Sequence, residues 1–156
     1  MKSHKGLSYI ELILVLTISI IVVGLASLGV GLVSRYNVTK AGDKLNSAVA
    51  ESRSVSITKG TENGKIVLSK VGSKYYYTLD GTTKQFASDP VSVVYNNGGT
   101  SETISTSHSV EIKFNRMGGL VGASTDPSVN YDLKLSNGSK EVVYRFKKVT
   151  GRLVLQ

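Results

Sequence analysis

Two hydrophobic patterns divide the chain. From Leu12 to Val33 no residue is charged, and the run has no polar face of the kind that a core helix of a soluble domain shows. A helix of that length covers the ~30 Å hydrocarbon core of a bilayer at ~1.5 Å per residue. Because Lys2 and Lys5 precede the run, the positive-inside rule keeps the N-terminus in the cytoplasm. The pattern predicts a membrane-spanning helix followed by an exported domain.

After Val33 the pattern becomes amphipathic. Small and apolar side chains recur at helical spacing, namely Ala41, Leu45, Ala48, Val49, Ser52 and Val55. The two patterns together predict one helix from about Ser8 to about Thr58, which Lys59-Gly60 ends. Its second half is expected to pack on the domain that follows.

From Lys65 onward the chain reads as strands and turns. The predicted strands are Lys65–Lys70, Lys74–Leu79, Val91–Tyr95, Val110–Phe114, Tyr131–Leu135, Lys140–Lys148 and Arg152–Leu155. Asp80-Gly81 and Asn137-Gly138 are tight-turn signals. We therefore expect an α+β fold, in which a long N-terminal helix, half transmembrane and half amphipathic, packs on a small antiparallel β-sheet domain.

Glu11 does not suit a plain membrane span. A carboxylate inside a span costs on the order of 2.5–3.5 kcal/mol, and such a group usually has a partner. A cleaved secretory signal would have a shorter apolar region with a small-residue cleavage site after it. A signal anchor that stays in the membrane gives no reason for Glu11.

The segment KGLSYIELILVLTISIIVVG resembles the N-terminal signature of type IV pilins and type II secretion pseudopilins. In that family a prepilin peptidase cuts after a leader that ends in Gly, methylates the new N-terminus and leaves Glu as the fifth mature residue. The resemblance implies a leader over 1–6, cleavage between Gly6 and Leu7, and N-methylation of Leu7. It also implies a helix of the membrane and filament core over 7–33, an amphipathic half over 34–59 and an exported globular domain over 60–156.

The resemblance gives Glu11 a role in assembly. Cleavage would create an amino cation at Leu7, and Glu11 of one subunit would pair with the amine of a neighbour. The implied partners are other pilin or pseudopilin subunits, the prepilin peptidase and the pilus assembly platform. The implied location is the cytoplasmic (inner) membrane, in a single pass, before assembly into a pilus or pseudopilus.

Two departures and a second resemblance bear on which subunit this is. The family most often has Phe at the first mature position, where this chain has Leu7, and major pilins tend to have Pro where this chain has Leu28. The segment VEIKFNRMGGLVG is similar to the core pattern of GspH/FimT-type minor pseudopilins. These features favour a minor pilin or pseudopilin.

Composition points to a structural subunit and not to an enzyme. The chain has no cysteine, which excludes disulfides, thiol catalysis and Cys-based metal sites. His108 is the only histidine beyond the first segment, and no motif joins it to a catalytic triad. No metal-ligand spacing is present, so we predict no cofactor and no metal.

Two alternative functions are left open, and the net charge of +8 bears on the first. Arg145, Lys147, Lys148 and Arg152 form a local excess of cations that could contact DNA phosphates. A pilus-associated DNA-binding minor pilin for DNA uptake is one alternative. A signal-anchored extracellular binding or adhesion domain is the other, and it would keep residues 1–6.

Overall fold

The structure is a computed structural model that describes residues 8–156, with side chains for 8–24 and 35–156. The chain divides into two compact units, Met1–Val33 and Ser34–Gln156. The predicted leader, the cleavage site at Gly6 and the methylation site at Leu7 lie outside the described residues.

One helix, α1, runs over Tyr9–Lys59. It begins at the sequence Ser8-x-x-Glu11, in which the Ser8 backbone N–H donates to Glu11 Oε2 at 2.8 Å, as in one half of a capping box. No proline interrupts the helix. It ends where Gly60 adopts a φ of 96° and its N–H donates to the Ser56 carbonyl at 3.0 Å.

The prediction of a transmembrane half is wrong. Among the residues whose side chains the structure describes, no helical stretch is both long and apolar enough to cross a membrane. This finding corrects three predictions. They are the fold class with its transmembrane half, the membrane and transmembrane assignments, and the location as a single-pass inner-membrane protein.

Nine strands follow the helix within the described residues. They are β1 (Ile66–Val71), β2 (Lys74–Leu79), β3 (Thr82–Ser88), β4 (Ser92–Asn97), β5 (Thr100–Thr103), β6 (Val110–Ile112), β7 (Tyr131–Ser136), β8 (Glu141–Lys147) and β9 (Arg152–Leu155).

These strands form two antiparallel sheets, which corrects the expectation of one small sheet. The first sheet has the order β3-β2-β1-β6, and the second has the order β5-β4-β7-β8-β9. Three consecutive strands pair as hairpins in the first sheet before β6 joins the far side of β1. Similarly, β7 pairs with β4 across a long connection. Such nonlocal pairings leave no mark on the local pattern of either partner.

The core of the Ser34–Gln156 unit lies between the second part of α1 and the inner sheet faces. The buried helix residues recur every three or four positions: Val38, Ala41, Leu45, Ala48, Val49, Ser52 and Ser56. Val55, also predicted for this stripe, is half-buried. Gly42 belongs to the stripe because a Cβ there would lie 2.0 Å from Tyr144 Oη.

Candidate functional site

Residues 9–24 of α1 form a surface that is apolar on every side; we call it the apolar segment. The exposed fractions of its large side chains range from 46% at Ile13 to 80% at Tyr9, so no side of the segment is covered within the described residues. Exposed apolar patches of this kind usually mark an interaction site.

The Thr17 and Ser19 hydroxyls of the apolar segment are satisfied within the helix. Thr17 Oγ1 donates to the Ile13 carbonyl at 2.8 Å, and Ser19 Oγ donates to the Val15 carbonyl at 2.8 Å. Since both donors are engaged, the segment can be buried against another apolar surface without leaving these hydroxyls unpaired.

Glu11 is the only charged residue of the apolar segment. Its carboxylate accepts the Ser8 N–H, so within one chain it already acts at the N-terminus of the helix, where the macrodipole also favours a negative charge. This local role was not predicted, although the spacing Ser8-x-x-Glu11 is the signal for it.

The four predicted DNA-contact residues do not form one patch. Arg145 Nε lies 2.9 Å from Oδ1 of Asp132, a buried carboxylate on the neighbouring strand β7. This hydrogen bond raises the pKa of Arg145, and the carboxylate balances its charge. Lys148 Nζ donates to the Asp126 carbonyl and lies 5.8 Å from the Tyr131 ring centroid.

Lys147 and Arg152 are the two predicted residues that the structure brings together. They lie directly opposite each other on β8 and β9, and both are exposed. Within the described residues, neither makes an ion pair with a carboxylate. Like charges at directly opposed positions destabilise a strand pair, so this position favours an anion.

Arg53 is a further cation near this position that the sequence analysis did not single out. It is half-buried on α1, and its Nε donates to the Gly118 carbonyl at 3.3 Å. Arg53 and Arg152 line the same groove of about 320 Å³, which lies between α1 and β9. Arg53 follows the buried Val49 by one helical turn, which is the signal that it borders the core stripe.

His108 lies in the connection between β5 and β6. Its Nε2 is 3.2 Å from Glu102 Oε2, while the nearby Ser105 and Ser107 hydroxyls bond to each other at 3.2 Å. Within residues 8–156, no group of three or more His, Cys, Asp or Glu side chains is arranged to hold a metal ion.

Comparison with protein-family models, with curated proteins and with solved structures finds no match to this chain. The resemblance to pilins and pseudopilins therefore rests on the residues of the two segments that carry it, KGLSYIELILVLTISIIVVG and VEIKFNRMGGLVG.

Proposed function

We propose that this chain is a structural subunit of a filament of the type IV pilin or pseudopilin kind, and that a prepilin peptidase processes it after Gly6. The observation that carries the proposal is the apolar segment, whose described side chains are exposed on all sides and include one carboxylate, Glu11, at its start.

Burial against copies of the same helix would cover this surface. Removing apolar area from water stabilises an assembly by roughly 25 cal/mol per Å². A surface that is apolar on every side suits a helix with neighbours on every side, as in the core of a helical filament. The internally bonded Thr17 and Ser19 hydroxyls support the same arrangement.

Glu11 would then contribute at two stages. In one subunit it accepts the Ser8 N–H through Oε2. A carboxylate has about four acceptor positions, so it can also accept from a cation of a neighbouring subunit. Cleavage after Gly6 would supply that cation as the amine of Leu7. A buried charge that finds its partner only on assembly would set the register between subunits.

The proposal assigns the chain a minor rather than a bulk role, and no catalysis. Two features support the minor role. Leu28 stands in place of the proline of major pilins, and a GspH/FimT-like segment begins with β6. The partners would be other pilin or pseudopilin subunits, the peptidase and the assembly platform.

The first test is to express the full chain with and without a prepilin peptidase and to measure its intact mass and N-terminal sequence. We expect a new terminus at Leu7, which is lost in a Gly6→Val variant. A chain that keeps Met1 with several peptidases would overturn the proposed processing.

The second test separates the two roles of Glu11. Glu11→Gln keeps an acceptor oxygen for the Ser8 N–H but removes the charge, whereas Glu11→Ala removes both. We expect both variants to lose incorporation into filaments, as seen by electron microscopy of the processed chain in its assembly system. If Glu11→Gln assembled as well as the wild type, the ion pair would have no part in assembly.

A further inference from the structure

The groove between α1 and β9 is bounded by groups of different chemistry on its two sides. The helix side presents Asn46, Ser47, Ala50 and Arg53, and the strand side presents Arg152 and Leu153. All of these residues belong to the Ser34–Gln156 unit. The groove is therefore lined by hydrogen-bonding side chains and two guanidinium groups, and it lies beside strand β9.

Among the described residues, β9 pairs only with β8 in the order β5-β4-β7-β8-β9, so it is an edge strand. The Gln156 N–H donates to the Val143 carbonyl at 2.9 Å, which sets the hydrogen-bonding phase of the pair. Backbone groups alternate in direction along an antiparallel strand. Val154 and Arg152 therefore direct their N–H and C=O groups towards β8, whereas Leu153 and Leu155 direct theirs towards the open edge.

An open edge of this kind can accept a further strand from another chain. β9 spans four residues, and its open side offers the N–H and C=O groups of Leu153 and Leu155. Backbone bonding of this type gives affinity, and the flanking side chains then determine which segment is accepted.

The charges beside this edge select for acidic side chains. Arg53 uses one of its five N–H donors on the Gly118 carbonyl, and the described residues place no carboxylate in an ion pair with it. Arg152 and Lys147 repel each other across the strand pair. A carboxylate near Arg152 would relieve that repulsion, and one near Arg53 would form a charge-assisted hydrogen bond.

We propose that the groove binds an extended, acidic segment of a partner protein, which adds to β9 as a sixth strand of the second sheet. Successive side chains of a strand point to opposite faces. One face of the added strand would meet Arg152, and the other would meet Arg53 on α1. The segment would therefore carry carboxylates on two neighbouring residues, flanked by residues with high β-propensity.

The lining favours a peptide over a nucleic acid. Binding of single-stranded nucleic acids relies on aromatic side chains on which bases stack, and no aromatic residue lines the groove in the described part of the chain. The proposal stands on the Ser34–Gln156 unit alone and does not depend on filament assembly.

The binding test uses the full chain in a nonionic detergent and short fluorescent peptides. One peptide alternates Glu-Glu pairs with Val and Thr; in the control, Gln replaces every Glu. We expect the acidic peptide to bind about tenfold more tightly in fluorescence anisotropy, because hydrogen bonds to charged groups are the stronger ones. Arg53→Gln and Arg152→Gln should each weaken it by about fivefold to twentyfold. Arg116→Gln, outside the groove, is the matched control and should change binding less than about twofold.

Hydrogen exchange identifies the binding mode. On addition of the acidic peptide, the amides of Leu153 and Leu155 should exchange more slowly, while those of β5, the opposite edge of the same sheet, should not change. Equal binding of the two peptides, or equal losses in Arg116→Gln, would overturn the proposal. So would unchanged exchange at Leu153 and Leu155. Tighter binding of an oligothymidine than of the acidic peptide, lost in the same two variants, would replace it with a nucleic-acid site.

Discussion

The two parts of helix α1 differ in whether their apolar residues are buried. In the apolar segment, large side chains on every side are exposed, whereas residues 35–59 bury one stripe and expose the rest. The second part completes its packing within its own unit. The first part finds no cover among the described residues. The comparison teaches that one continuous helix can bury a single stripe in one part and expose apolar side chains on every side in another.

The largest expected effect is on the free energy of unfolding, which truncation of a side chain should lower in residues 35–59 but not in the apolar segment. Leu45 is fully buried, so Leu45→Ala should lower the free energy of unfolding by about 2–5 kcal/mol. Ile18 is 51% exposed, so Ile18→Ala should change it by less than about 0.5 kcal/mol. Denaturant unfolding followed by near-ultraviolet circular dichroism checks both. Similar losses in the two variants would break the comparison.

A pair of helical glycines gives the next largest effect. A Cβ at Gly42 would lie 2.0 Å from Tyr144 Oη, so Gly42→Ala should cost about 1–3 kcal/mol through overpacking. Apart from its chain neighbours and the nearby helix backbone, a Cβ at Gly24 would meet no described atom within 4 Å, so Gly24→Ala should stabilise the helix by about 0.5–1 kcal/mol. Thermal unfolding of the two variants measures the difference in sign. A stabilising Gly42→Ala would show that Tyr144 moves aside without cost.

The start of the apolar segment should respond more weakly. Glu11→Ala removes the acceptor of the Ser8 N–H and should destabilise the first turn by about 0.5–1 kcal/mol. Amide exchange of the first helical turn should become faster, while that of β1 to β9 should not change. Glu11→Gln is the control, because its amide oxygen can still accept this hydrogen bond. Faster exchange in the strands would contradict a local role.

The smallest effect at neutral pH concerns Tyr95, whose substitution should change the pH dependence of stability only in alkali. Burial, with the charges of Tyr131 and Glu102, raises the pKa of Tyr95. The unfolded chain then loses this proton at a lower pH than the folded chain, so stability should fall as pH rises above about 10. Tyr95→Phe should flatten this alkaline decline in urea titrations, whereas Tyr9→Phe, in the exposed apolar segment, should not. An unchanged slope in Tyr95→Phe would contradict the assignment.

Strands with one buried face were predictable because their alternation is visible locally. Predicted Lys74–Leu79 coincides with β2, which buries every second residue, and the turn at Asn137-Gly138 joins β7 to β8 with Gly138 at a φ of 78°. The missed strands, β3 and β5, lie at sheet edges and expose most of their residues. Without a buried face, an edge strand shows no apolar alternation to detect.

The candidate sites were predictable to different degrees for a similar reason. Charge near the C-terminus singled out Arg145, Lys147, Lys148 and Arg152. It gave no sign that Asp132 engages Arg145 or that Arg53 borders the same groove as Arg152. These contacts join residues that are distant in sequence. The prediction of a membrane span relied on the uncharged run and the lysines before it, whereas no described helical stretch is long and apolar enough to cross a membrane.

The sequence by itself determined what depends on neighbours along the chain. Examples are the buried stripe of α1, the strands that alternate, the turns at glycine and the capping signal of Ser8 and Glu11. The tertiary structure alone decided that there are two sheets, which strands end as edges and which cations remain without carboxylates. The physical reason is that a local pattern records which side of an element is apolar, but not which distant element will cover it.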